Sequence, residues 1–103
     1  MVATFEVLAE PNRRHLLRLL VDGERSVGAL VDETSLSQPS VSKHLRVLRE
    51  AGLVTVRRDA QRRLYRVRLE PLVEMDAWLQ PFIAAWNRRL DDLETHLDTM
   101  EDP

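Results

Sequence analysis

Between Ser37 and Arg49 the chain interleaves short hydrogen-bonding side chains with long cations: Ser37, Gln38, Ser40, Ser42, Lys43, His44, Arg46 and Arg49. On a helix turning about 100° per residue, Val41, Leu45 and Leu48 fall within ~60° of one another and form a buried stripe. Pro39, Ser42, Lys43 and Arg46 lie opposite, with Ser40 on the flank near the helix start. Hydroxyls and amides exchange hydrogen bonds with base edges, cations neutralise phosphate, and no carboxylate interrupts this face before Glu50. The start of such a helix adds free N–H groups and partial positive charge beside Ser37 and Gln38. The chemistry is therefore that of a helix laid in the major groove of double-stranded DNA. Ser37, Gln38, Ser40, Ser42, Lys43 and His44 are the groove candidates, and Arg46 and Arg49 the phosphate or base contacts. Standing alone, the same helix would read equally well as a solvated face.

The charge distribution decides between those readings. The whole chain has a net charge of -2 and a pI near 5.9, which by itself argues against a polyanion partner. Residues 36–68, however, hold nine basic and two acidic side chains, a net of +7, whereas residues 69–103 hold two basic and nine acidic ones. A basic block of this size beside a helix of that composition points to nucleic acid. Within it, Arg58, Arg62 and Arg63 flank a turn, where they reach DNA backbone or minor groove beside the helix. Arg57, Arg66 and Arg68 lie further from the turn, solvated or paired with acids.

Other chemistries find little footing. With 0 cysteines there is no disulfide, thiolate metal site or cysteine nucleophile. Only 3 glycines are present, none in a phosphate-cradling loop, and no G-x-S-x-G occurs, so an enzyme is not expected and no cofactor is called for. His15, His44 and His96 fall on separate elements, and Asp91, Asp92 and Glu94 with His96 make the one grouping that would support a metal. The N-terminus lacks a basic region followed by an apolar run and no long apolar stretch occurs, so the expected location is cytoplasmic.

The candidate helix must be held by a scaffold, and 103 residues make one domain. Thr4–Leu8 forms a short amphipathic helix. Pro11 opens a second, which carries Leu16, Leu17, Leu20 and Val21 inward and stops at Asp22-Gly23. Ser26 caps a third with Val27, Leu30 and Val31 inward, and Ser37 caps the fourth, which ends on Gly52. The third and fourth, joined by a short turn, form a helix-turn-helix at about 26–51. From Leu53 the period changes to two, and a second alternating run covers Leu64–Leu69, so a β-hairpin, or wing, occupies about 53–69, with Tyr65 on its buried face. A final helix spans about 71–100 and carries a heptad seam: Leu79, Ile83, Trp86, Leu90, Leu93, Leu97 and Met100. Pro81 predicts a break or kink near Leu79. The closing Glu101-Asp102-Pro103 reads as a frayed tail. The fold class is mainly α with a β-hairpin, a winged helix-turn-helix.

The stretches "LAEPNRRHLLRLL", "SVGALVDETSLSQPSVSKHLRVLREAGLV" and "VRRDAQRRLYRV" resemble the ArsR family of winged-helix transcriptional regulators over essentially the whole chain. The resemblance implies a homodimeric repressor of a palindromic operator, paired through its first and last helices. Phe5, Leu8, Leu79, Phe82, Ile83, Trp86, Leu90, Leu93 and Leu97 are then the dimer-interface candidates. Metal-sensing members carry a cysteine pair in the third helix; here "VGALVDETS" has none. The aromatic and apolar stripe of the last helix suits either simple packing or a site for a small apolar effector. Two other readings stay open: a winged helix used for protein interaction, and a metal-responsive repressor with a non-cysteine site.

Overall fold

Three of the helices begin where a side chain takes up a backbone N–H that the first turn leaves free. In the computed structural model, which describes residues 2–101, Glu10 accepts from the Arg13 N–H at 3.1 Å, Ser26 from Ala29 at 3.1 Å and Ser37 from Ser40 at 3.3 Å. The elements that result are α1 (Val2–Leu8), α2 (Pro11–Leu20), β1 (Arg25–Ser26), α3 (Val27–Glu33), α4 (Gln38–Glu50), β2 (Val54–Asp59), β3 (Arg62–Val67) and α5 (Glu70–Glu101). Pro11 and Pro39 stand in first turns, where a missing N–H costs nothing. At the end of α4 the chain reverses through Gly52, whose φ of +76° suits a residue without Cβ. The Leu53 N–H donates to the Leu48 carbonyl at 2.9 Å, and the Gly52 N–H to Arg49 at 3.0 Å, which closes the last turn and aims the chain into β2.

The structure adds one strand to the predicted order. Beside the β2–β3 hairpin, Arg25 and Ser26 pair antiparallel with Tyr65 and Leu64 of β3, giving a three-stranded sheet ordered β1-β3-β2. Two residues are too few to show a period of two, so this strand is defined by its partner and not by its own sequence. A second correction concerns Pro81: α5 runs through it for 32 residues without the break expected near Leu79. Pro81 and Ala77 are both exposed, so the carbonyl left without its helical donor opens to water instead of being stranded. Of the tail read as frayed, Asp102 and Pro103 lie outside the described residues.

The core is aliphatic. Leu16, Leu30, Val41, Leu45, Leu48 and Leu53 are fully buried, Leu20 and Val54 nearly so, and Tyr65 closes the sheet side as predicted. Val41, Leu45 and Leu48 bolt α4 down from beneath, which is what allows its other face to be fully presented. Leu45→Ala is expected to destabilise the domain by about 2–4 kcal/mol through lost burial and the cavity left behind, read as a lower urea midpoint at unchanged slope. The 2 phenylalanines and 2 tryptophans of the chain all lie outside this core, on α1 and α5.

A candidate nucleic-acid interface

The free face of α4 carries Gln38, Ser42, Lys43, Arg46 and Arg49, all exposed, with Ser40 half-buried on the flank. The Ser37 hydroxyl is engaged in its cap but the residue is exposed. His44 is placed differently from its neighbours. Its side chain is 16% exposed and Nδ1 lies 3.8 Å from Glu10 Oε2, so it faces the α1–α2 turn and belongs to the packing behind the helix face. Among the described residues, Lys43, Arg46 and Arg49 enter no ion pair.

The register of the hairpin sorts its arginines onto two faces. Because side chains alternate, Val54, Val56 and Arg58 of β2 share one face with Val67, Tyr65 and Arg63 of β3. That face is the core side, and at its tip Arg58 and Arg63 stand directly opposite each other. Neither is paired with an acid among the described residues. Like charges in that position repel, so nothing in the fold accounts for the pair. Arg58 and Arg63 line one concavity with Arg49 of α4, together with Val56 and Arg57.

On the other face each arginine is occupied. Arg57 donates from Nε and an Nη to the two carboxylate oxygens of Glu24 at 2.7 and 2.8 Å. Arg66 donates to the Thr55 hydroxyl at 3.3 Å, Arg62 meets Asp59 at 3.3 Å and Arg68 meets Glu70 at 3.5 Å. The forked hydrogen bond from Arg57 holds the Glu24 carboxyl below the usual carboxylate range, and Glu24 in turn raises Arg57. Arg62, expected at the interface beside Arg63, therefore sits on the opposite face with an acid at hand. Glu24 was invisible in the sequence: it is 33 positions from Arg57 and has no local pattern.

The aromatic residues gather at a second surface. Phe5 of α1 meets Trp78 of α5 edge-on at 5.4 Å between ring centres, and Trp78 meets Phe82 at 4.9 Å. Leu79 is half-buried, whereas Ile83, Trp86, Leu90, Leu93, Leu97 and Met100 are exposed along one seam, Trp86 by 58%. Leu8, grouped with them from the resemblance, is half-buried against the chain's own core. Among the described residues, no three His, Cys, Asp or Glu side chains come together to hold a metal ion. Nor is any helix of the described chain long and apolar enough to cross a membrane.

Comparison with known proteins agrees with this geometry. Residues 10–56 match the model of the family described as "Bacterial regulatory protein, arsR family", a span that covers α2, the helix-turn-helix and the start of the wing. An uncharacterized HTH-type transcriptional regulator of Mycobacterium tuberculosis is 37% identical over 81 residues, 78% of this chain and 71% of that protein. The transcriptional repressor SdpR of Bacillus subtilis is 30% identical over 77% of this chain and 88% of its own length. Among solved structures, an ArsR-like transcriptional regulator from Rhodococcus sp. RHA1 superimposes with a TM-score of 0.72 at 26% identity, over 91% of this chain and 89% of that one.

Proposed function

This chain belongs to the arsR family of bacterial regulatory proteins, a family of transcriptional regulators and not of enzymes, and from that premise we propose that it is a homodimeric repressor of a two-fold symmetric operator. One observation carries the reading: five exposed cations that enter no ion pair among the described residues lie along the free face of α4, as Lys43, Arg46 and Arg49, and at the hairpin tip, as Arg58 and Arg63, and Arg49 shares one concavity with Arg58 and Arg63. Gln38, Ser40 and Ser42 supply base-edge hydrogen bonds between them. In this arrangement α4 enters the major groove with its capped N-terminus leading, and the Arg58–Arg63 pair meets the flanking backbone or minor groove. A face made for protein binding would show aromatics and aliphatics here; this one shows hydroxyls and cations.

Dimerisation follows from the second surface. An apolar seam of this length, exposed along α5 and joined by the Phe5–Trp78–Phe82 cluster, is the kind of face two copies bury between them. A two-fold axis at that seam presents two α4 helices to half-sites whose centres lie about one helical turn apart, or a multiple of it.

The reading is tested by the salt dependence of binding. Several neutralised phosphates per dimer predict that log K falls with log salt concentration at a slope on the order of -5 to -10. A slope near zero would remove the basis for a cationic DNA face.

A further inference from the structure

Arg57 does not simply find a nearby acid. It sits on β2, the outer strand, at the level of Leu64, and its guanidinium passes over β3 to the residue that precedes β1. The hydrogen bonds to Glu24 therefore strap all three strands together on the face away from Arg58 and Arg63. Beyond the strap the hairpin has no third strand among the described residues: β1 pairs only with Leu64 and Tyr65, and from Arg58 to Arg63 the ladder is β2 with β3 alone. Glu24 also leads directly through Arg25 and Ser26 into α3, the first helix of the helix-turn-helix. Arg25 is itself anchored, donating from Nε to the Leu19 carbonyl at 2.9 Å and pairing with Glu33 at 3.1 Å. The strap thus joins the far edge of the hairpin to the body that carries α4.

We infer that Glu24 and Arg57 are positioning residues for DNA binding: their two-pronged bond fixes the twist of the hairpin against the helix-turn-helix, so that Arg58 and Arg63 arrive at the duplex together with α4. Arg57 itself is not a phosphate contact. A two-stranded ribbon twists more freely than a sheet of three, and a bidentate guanidinium–carboxylate bond is the exposed pair with the directional geometry to restrain it. The inference rests on the proposed DNA-binding reading and adds to it a residue that has no cationic or hydrogen-bonding role at the interface.

The test uses the fact that the two partners carry opposite charges. If electrostatics alone governed, Glu24→Gln, which removes a negative charge, would tighten operator binding, and Arg57→Gln would weaken it. If the strap positions the hairpin, both substitutions weaken operator binding by a similar factor, on the order of fivefold. The double variant is then no weaker than either single one, and the salt slope stays at the wild-type value because no phosphate contact is lost. Glu50→Gln, at an exposed acid that makes no ion pair among the described residues, controls for the loss of one negative charge, and thermal melts of each variant control for folding. Tighter binding by Glu24→Gln beyond that of Glu50→Gln overturns the inference. So does a slope for Arg57→Gln shallower by about one per protomer, the signature of a direct phosphate contact. Arg58→Ala separates the two levels of the argument: its normal binding would remove the DNA-facing role of the hairpin itself, whereas its loss beside unaffected Glu24 and Arg57 variants would remove only the strap.

Discussion

Replacing Lys43 and Arg46 together with alanine is expected to lower operator affinity by about a thousandfold or more at physiological salt, while leaving the fold and its melting temperature nearly unchanged. The size follows from position. Both side chains are exposed on the face of α4 opposite Val41, Leu45 and Leu48, so neither supports the core. Each is present twice in a dimer, and each lost base or phosphate contact is worth about 1–3 kcal/mol. Four such losses exceed what the remaining arginines can offset. The comparison of interest is with Arg66→Ala and Arg68→Ala. These remove the same formal charge from the occupied face of the hairpin and are expected to cost little beyond long-range attraction, which salt screens within about 8–10 Å. Binding measured by fluorescence anisotropy on one operator would resolve the two classes. Equal losses for both would mean that net charge, and not the placement of Lys43 and Arg46, holds the DNA.

Leu90→Asp is expected to turn the proposed dimer into a monomer. Leu90 lies in the middle of the exposed α5 seam and takes no part in the chain's own core, so the single chain has no need of it to fold. In a two-fold pair the substitution places two carboxylates in an apolar interface, where an unpaired buried charge is costly and symmetry counts it twice. The dimer dissociation constant should rise by on the order of a thousandfold or more. Sedimentation velocity at micromolar concentration would then show a single monomeric species, and operator binding would fall toward that of one half-site. A variant that still sediments as a dimer would place the interface elsewhere than on α5.

Much of this was legible in the sequence because the signals were local. The caps at Ser26 and Ser37, the stop at Gly52 and the aliphatic stripe of α4 are statements about neighbours within four residues, and the structure has them where the spacing predicts. The hairpin was legible from its change of period, and its alternation also buried Tyr65 correctly. What escaped depended on distant partners. The β1 strand exists because β3 pairs with it, and the Glu24–Arg57 bond because a sheet brings together residues 33 positions apart. Pro81 escaped for another reason. A local rule predicts a broken helix, but on an exposed face the missing bond can be made good by water, and α5 continues. The arginine block shows the same limit at the candidate site. Counting charges located the basic region and distance from the turn set Arg57 apart, but only the strand register separates Arg58 and Arg63, unpaired among the described residues, from Arg62, which meets Asp59.

Reading of a symmetric DNA site by α4 and the hairpin of two paired copies can be checked by incubating the purified protein with fragmented genomic DNA and sequencing what it retains. The expected result is a small set of fragments sharing an inverted repeat, with half-site centres about one helical turn, or a multiple of it, apart. Retention of fragments without a common sequence, or of a single motif lacking two-fold symmetry, would contradict it.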